Sequence, residues 1–352
     1  MNADVTLPRL LLRNSRMMAS RPAIREKKLG IWQTYSWAEY WDEVRLFALG
    51  LAANGFARGG KLAVIGDNRP RLYWAQLAAQ SLGGVAVPMY QDSIAAELAF
   101  VLNHAEVSVI VAEDQEQVDK VLSLRPHLPH LELVVYDDPR GLRHYAGPFL
   151  KSFGGIQTEG REFGASHRLH VETEIEQGRA DDLALLIYTS GTTGRPKGVM
   201  LSHANLRASA EAFAAAEEVR PTDNMLCYLP MAWIGDSLFS LVLTLLVGFT
   251  CNCPERPDTV ARDLREIGPS IALAPPRVWE NMLTLLRVRA ADASPLKRLL
   301  FGLFQRLAES AEIAARHDRK PSAWRQIGLT AGEVFVYGPV RDQLGLRRAR
   351  WV

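Results

Sequence analysis

The chain has 352 residues, 48% of them hydrophobic and 23% charged, which makes it a globular protein with a large core and excludes a disordered chain. Lys plus Arg number 41 against 39 Asp plus Glu, and the basic residues are scattered except for Arg347, Arg348 and Arg350, so no nucleic-acid surface is indicated. Three cysteines, Cys227, Cys251 and Cys253, supply neither an even disulfide framework nor a CxxC pair, and are expected to be inert thiols of a cytoplasmic protein that holds no metal through them.

At the N-terminus, "MNADVTLPRLLLRNSRMM" has arginines breaking its apolar run and lacks the core of a signal peptide. "SWAE" (36–39) has capping-box spacing, and Tyr40, Val44, Phe47 and Leu51 follow at helical intervals until Gly55 supplies a stop. Next, "KLAVIG" (61–66), a helix between Pro70 and Gly83, "GVAVPM" (84–89), a helix over 94–104, "VSVIVA" (107–112) and "LELVVY" (131–136) alternate. Such alternation predicts a mainly parallel sheet covered on both faces. Residues 137–182, rich in Gly and charge without sustained period, read as a connecting region.

After "LALLIYT" (183–189) and "VML" (199–201), Ser202 is placed to cap a helix that runs to about Glu217, and "NMLCYLP" (224–230) reads as a strand. The most apolar segment, "LFSLVLTLLVGF" (238–249), is too short to span a bilayer and predicts a buried helix, with membrane-surface contact as the alternative. Asp258 is expected to cap a helix ending at Gly268, followed by a strand "SIALAP" (270–275), an amphipathic helix through Val278, Met282, Leu285 and Leu286, and a helix over 294–317. The expected architecture is α/β, with two layered subdomains of mainly parallel sheets flanked by helices: one over 61–220, the other over 1–60 plus 221–352.

The stretch "YTSGTTGRPKGVMLSH" (188–203) carries the chemistry. A Walker A loop would put Gly-Lys-Ser/Thr at the start of a helix, whereas here Pro196 precedes Lys197, Gly198 follows it, and an extended run comes next. It remains a phosphate cradle. Gly191, Gly194 and Gly198 let backbone N–H groups converge on an anion, Thr189, Ser190, Thr192 and Thr193 add hydroxyl donors, and Lys197 adds a positive charge.

These residues resemble the signature of the AMP-forming acyl-CoA synthetases, in the adenylate-forming superfamily. "TYSWAEYWDEVRLFALGLAANG", "GDNRPRLYWAQLAAQSLGGVAVPMYQDS" and "IGPSIALAPPRVWENML" are similar to further segments of that family, the last to its long-chain fatty acyl branch. The resemblance implies a two-step reaction using ATP, CoA and Mg2+: a fatty acid carboxylate displaces pyrophosphate to form an acyl-adenylate, and the CoA thiol then displaces AMP. "LPMAWIGD" (229–236) resembles the second substrate motif, so Trp233, Ile234 and Gly235 are expected at the acyl pocket, although many relatives have His where Trp233 stands.

The family's adenine turn, Tyr-Gly-x-Thr-Glu segment, ribose-binding Asp and mobile C-terminal domain with its catalytic Lys are not found in this sequence. At "VYGPVRD" (336–342), Tyr337 and Gly338 are followed by Pro339, Val340 and Arg341 and not by x-Thr-Glu. The expectation is therefore an N-terminal portion lacking the family's barrel and mobile domain, with no complete catalytic set and no metal ligands. A truncated remnant, a phosphate-binding module, and a split enzyme completed by a second chain are the alternatives.

Overall fold

A computed structural model describes residues 5–145, 147–189, 195–315 and 323–350. The chain divides into two compact units, Met1–Pro257 and Asp258–Val352. In the first, α1 (Leu7–Met17) opens at Thr6, whose hydroxyl accepts from the Arg9 amide, and β1 (Pro22–Lys28) and β2 (Ile31–Ser36) form a hairpin. Its turn is Leu29–Gly30, both with positive φ. The predicted capping box starts α2 (Trp37–Ala53): Ser36 Oγ accepts from the Glu39 amide at 3.3 Å, and Glu39 Oε2 accepts from the Ser36 amide at 2.7 Å.

The expected alternation follows as β3 (Lys61–Ile65), α3 (Pro70–Ser81), β4 (Val85–Met89), α4 (Ala95–His104), β5 (Val109–Ala112), α5 (Gln115–Leu124) and β6 (Leu133–Tyr136). Next come β7 (Leu150–Ser152), α6 (Phe153–Ser166), α7 (His170–Gln177), β8 (Leu183–Thr189), β9 (Lys197–Ser202) and α8 (His203–Ala216). These strands make one seven-stranded sheet, ordered β7-β6-β5-β3-β4-β8-β9, parallel throughout except for the antiparallel β8–β9 pair. α3 is buried at every position but Arg71.

A second, four-stranded sheet is ordered β10-β11-β1-β2. It is built from β10 (Asn224–Leu226) and β11 (Thr250–Cys253), both running parallel to β1. Between them, α9 (Ile234–Asp236) continues through a π-helical turn, Ser237–Leu243, into α10 (Thr244–Val247), ended by Gly248 in the left-handed region. The apolar segment is thus a mostly buried helix. Among the described residues the sheets are flanked by helices and none closes into a barrel.

Residues 137–182 correct the expectation of a connecting region, because they hold β7, α6 and α7. α6 contains four of the glycines that suggested a loop, and two of its neighbours in space explain one of them. A Cβ on Gly160 would lie 2.1 Å from the Leu46 carbonyl oxygen of α2, and one on Gly50 of α2 would lie 2.1 Å from the Ile156 carbonyl oxygen of α6. Glycine here serves close helix packing rather than a turn.

The second unit begins with α11 (Val260–Ile267), ended as expected by Gly268 at φ 54°, with Thr259 rather than Asp258 at the cap position. The expected strand over 270–275 is reduced to an isolated bridge at Ile271, between prolines that cannot donate to a ladder. Helices α12 (Pro276–Ala291), α13 (Pro295–Ala315) and α14 (Ala323–Gly332), a π-helical turn Glu333–Tyr337 and α15 (Gly338–Gln343) complete it. The end of the helix expected over 294–317 lies outside the described residues.

Candidate phosphate-loop site

The glycine-rich segment springs from the carboxyl end of β8, the edge of a parallel sheet at which ligands of open α/β folds gather. Antiparallel register pairs Tyr188 with Gly198 and Thr189 with Lys197, so β8 and β9 form a hairpin whose mouth lies at these pairs. This strand-loop-strand setting is the one the sequence predicts in place of a Walker loop. Of the predicted site residues, Ser190, Gly191, Thr192, Thr193 and Gly194 lie outside the described residues. Thr189 and Lys197 are brought together at the hairpin mouth, both exposed, and Lys197 has no ion pair among the described residues.

Both feet of the loop are held by α4 through contacts that the sequence reading did not single out. Tyr188 is buried, and its Oη shares a 2.7 Å hydrogen bond with His104 Nδ1, the rings meeting edge-on at 5.7 Å. Burial raises the Tyr188 phenol above its ordinary pKa, which keeps it neutral. Two residues before β9, the Arg195 guanidinium lies 5.9 Å from the centroid of the Phe100 ring. Gly198 lies tight against this arrangement, since a Cβ there would be 3.2 Å from both Tyr188 Cζ and Leu186 Cδ1. Phe100 and His104 are one helical turn apart, a spacing that could have flagged them once Tyr188 was placed in the core.

The second predicted motif is organised around Asp236, which is fully buried. Its carboxylate accepts from Ser240 Oγ at 2.7 Å, from Tyr73 Oη at 2.9 Å and from Asn68 Nδ2 at 2.9 Å. Asn68 Nδ2 also donates to the Leu229 carbonyl at 3.0 Å, so the residues that follow β3 fasten both ends of "LPMAWIGD". Burial pushes the Asp236 carboxyl up to about 7, against the lowering effect of the three donors. Trp233 and Ile234 are exposed at 38% and 37%, and the indole lies over Gly235, where a Cβ would come within 2.1 Å of the ring.

His203 takes the first position of α8, where its Nδ1 accepts from the Leu7 amide at 3.3 Å, and burial lowers its pKa to about 4. The three cysteines are buried and free, and burial holds the Cys227 and Cys253 thiols well above their ordinary range, consistent with inert thiols. Among the described residues no group of three or more His, Cys, Asp or Glu side chains could hold a metal ion. No helix among them is long and apolar enough to cross a membrane.

A hairpin whose connecting sequence is rich in Gly, Ser and Thr and has a lysine at its exit, at the carboxyl edge of a mainly parallel sheet, suits an α/β ligand-binding domain. The AMP-binding enzyme family model matches residues 12–331, and the chain belongs to that family. The long-chain-fatty-acid–CoA ligase ACSBG2 of Rattus norvegicus is 28% identical over 354 residues, covering 97% of this chain and 51% of the relative. The chain spans about half the length of the curated relatives it matches. Among solved structures, the fold is similar to the anthranilate CoA ligase AuaEII in complex with anthranoyl-AMP, with a TM-score of 0.64 at 20% identity over 77% of this chain and 50% of that one. It is also similar to the inhibitor-bound N-terminal domain of FACL13 from Mycobacterium tuberculosis, with a TM-score of 0.60 at 21% identity over 79% of this chain and 64% of that one.

Proposed function

We propose that this chain is the N-terminal part of an AMP-forming acyl-CoA synthetase, a cytoplasmic ligase that activates a long-chain fatty acid as its adenylate and passes it to CoA. The observation that carries the reading is the hairpin mouth at Thr189 and Lys197, in a chain of the AMP-binding enzyme family. Long-chain specificity is supported by the name of the rat relative.

In the first step a carboxylate oxygen attacks the α-phosphorus of ATP and pyrophosphate leaves, so negative charge accumulates on the leaving group. Lys197, exposed and unpaired among the described residues, is available to meet that charge, and Thr189 offers a hydroxyl from the opposite strand. The sequence assigns Ser190, Gly191, Thr192, Thr193, Gly194 and Gly198 to the same cradle. Its scaffold is preorganised by the Tyr188–His104 and Arg195–Phe100 contacts, which hold the loop's feet before any ligand arrives. Trp233 and Ile234, exposed on a segment locked from beneath by Asp236, are the proposed acyl-pocket wall.

Titration of the chain with ATP tests the phosphate site. Loss of one charge-assisted contact costs about 1.5–3 kcal/mol, so Lys197→Ala is expected to weaken binding roughly 10- to 100-fold. Equal affinities for the two proteins would overturn the assignment. A split enzyme completed by a second chain is the alternative reading. Fatty-acid-dependent pyrophosphate exchange separates the two: exchange by the chain alone argues against a split, and exchange restored only by a second chain argues for it.

A further inference from the structure

The carboxylate beneath "LPMAWIGD" is bonded unevenly. All three of its donors reach Oδ1: Ser240 Oγ at 2.7 Å, and Asn68 Nδ2 and Tyr73 Oη at 2.9 Å each, while Oδ2 meets Tyr73 Oη alone, also at 2.9 Å. Among the described residues no cation is bonded to either oxygen. Taking a carboxylate out of water without a cation costs stability. A role in stability alone therefore leaves Asp236 unexplained, and places where a fold accepts such a cost are where function is to be sought.

The segment above Asp236 is built to transmit what it holds. The Trp233 amide donates to the Pro230 carbonyl at 2.9 Å and the Asp236 amide to the Trp233 carbonyl at 3.0 Å, so two successive turns carry Trp233 and Ile234. Asn68 clamps one end of them at the Leu229 carbonyl, 3.0 Å away, and the other at Asp236. From Asp236 onward the backbone enters the π-helical turn Ser237–Leu243, a form that gathers at functional sites. Asn68 is anchored through its neighbour: Arg69 Nε donates to Glu113 Oε1, just beyond β5, at 2.7 Å, and its other two nitrogens donate to the Pro254 and Glu255 carbonyls at 2.8 and 2.9 Å. One turn after β3 thus ties the exposed wall to the sheet that carries the phosphate loop.

We infer that Asn68 and Asp236 are positioning residues for fatty acid binding, which hold the turns bearing Trp233 and Ile234 at a fixed place relative to β3 and touch no substrate themselves. The inference rests on the reading of Trp233 and Ile234 as the acyl-pocket wall. A preformed wall receives an acyl chain without first having to be ordered, and a loosened one binds it less tightly.

Titration of the full chain with a pyrene-labelled fatty acid, and separately with ATP, tests it in four variants. Asp236→Ala and Asn68→Ala are expected to weaken fatty acid binding roughly 10-fold and to leave the ATP affinity as in the parent. In Asp236→Asn the amide oxygen replaces Oδ1 and keeps all three donors, while the new NH2 group can donate to Tyr73 Oη, so fatty acid affinity is expected within about twofold of the parent's. Tyr73→Phe removes one donor and little volume; a loss of about threefold is expected of it, and it decides should Asp236→Ala not fold. Loss of both affinities together, no rescue by Asp236→Asn, or variants that bind like the parent would overturn the inference. The rescue decides alone should the parent bind no ATP. A parent that binds no fatty acid removes the acyl-pocket reading and this inference with it, whereas binding that is unchanged in every variant removes only the inference.

Discussion

Asp236 sits where a carboxylate is least welcome, buried in unit one beneath an exposed Trp233, and its three donors are Ser240, Tyr73 and Asn68. Its folded pKa, about 7, stands above the ordinary 3.8. The folded state therefore binds the proton more tightly than the unfolded chain does. This contribution to stability is fully present below pH 3.8 and is lost as pH rises through about 7. Asp236→Asn, which cannot ionise, is expected to flatten the stability profile across that window, measured as urea midpoints at a series of pH values; a parallel profile would show that Asp236 is not the titrating group. Gly235 offers a second test at this scale. Its substitution by Ala puts a Cβ within 2.1 Å of the Trp233 ring, so the indole must swing away. Binding of a fluorescent fatty acid is expected to weaken in Gly235→Ala if Trp233 lines the acyl pocket, and to stay unchanged if it does not.

Elements were legible where their signals are local. Ser36 with Glu39, and Ser202 ahead of α8, announce helices because capping chemistry is complete within four residues. The strand-loop-strand character of 183–202 could likewise be read, since Pro196 before Lys197 and the extended run after it are neighbours in sequence. α6 was not legible, because its glycines have meaning only against α2, more than 100 residues away. The contrast within α6 can be measured. Gly154→Ala meets nothing within 4 Å and should stabilise the helix by about 0.5–1 kcal/mol. Gly160→Ala drives a Cβ to 2.1 Å from the Leu46 carbonyl and should cost on the order of 3 kcal/mol. Opposite signs in urea denaturation would support the packing; equal, small effects would refute it. The Asp236 network was hidden for the same reason, as Asn68 and Tyr73 precede it by more than 160 residues.

At the scale of the molecule, sequence patterning tells which faces are apolar but not which of them remain uncovered. β9 is a case in point. It ends the seven-stranded sheet, pairing only through β8 among the described residues, and its outer residues Val199 and Met200 are exposed at 42% and 71%. An edge strand with free backbone donors and acceptors and apolar side chains is a template for pairing with another strand. Natural edges are commonly blunted by lysine, and Lys197 stands at the loop end of this strand with no second charge on the exposed positions beyond it. The isolated chain is therefore expected to associate as its concentration rises, and Met200→Lys, which adds a charge to the edge without touching the buried side of β8, is expected to suppress that association. Sedimentation velocity over a concentration series makes the comparison directly. A parent chain that stays monomeric throughout, or a Met200→Lys variant that associates to the same extent, would show that the edge is not the adhesive surface.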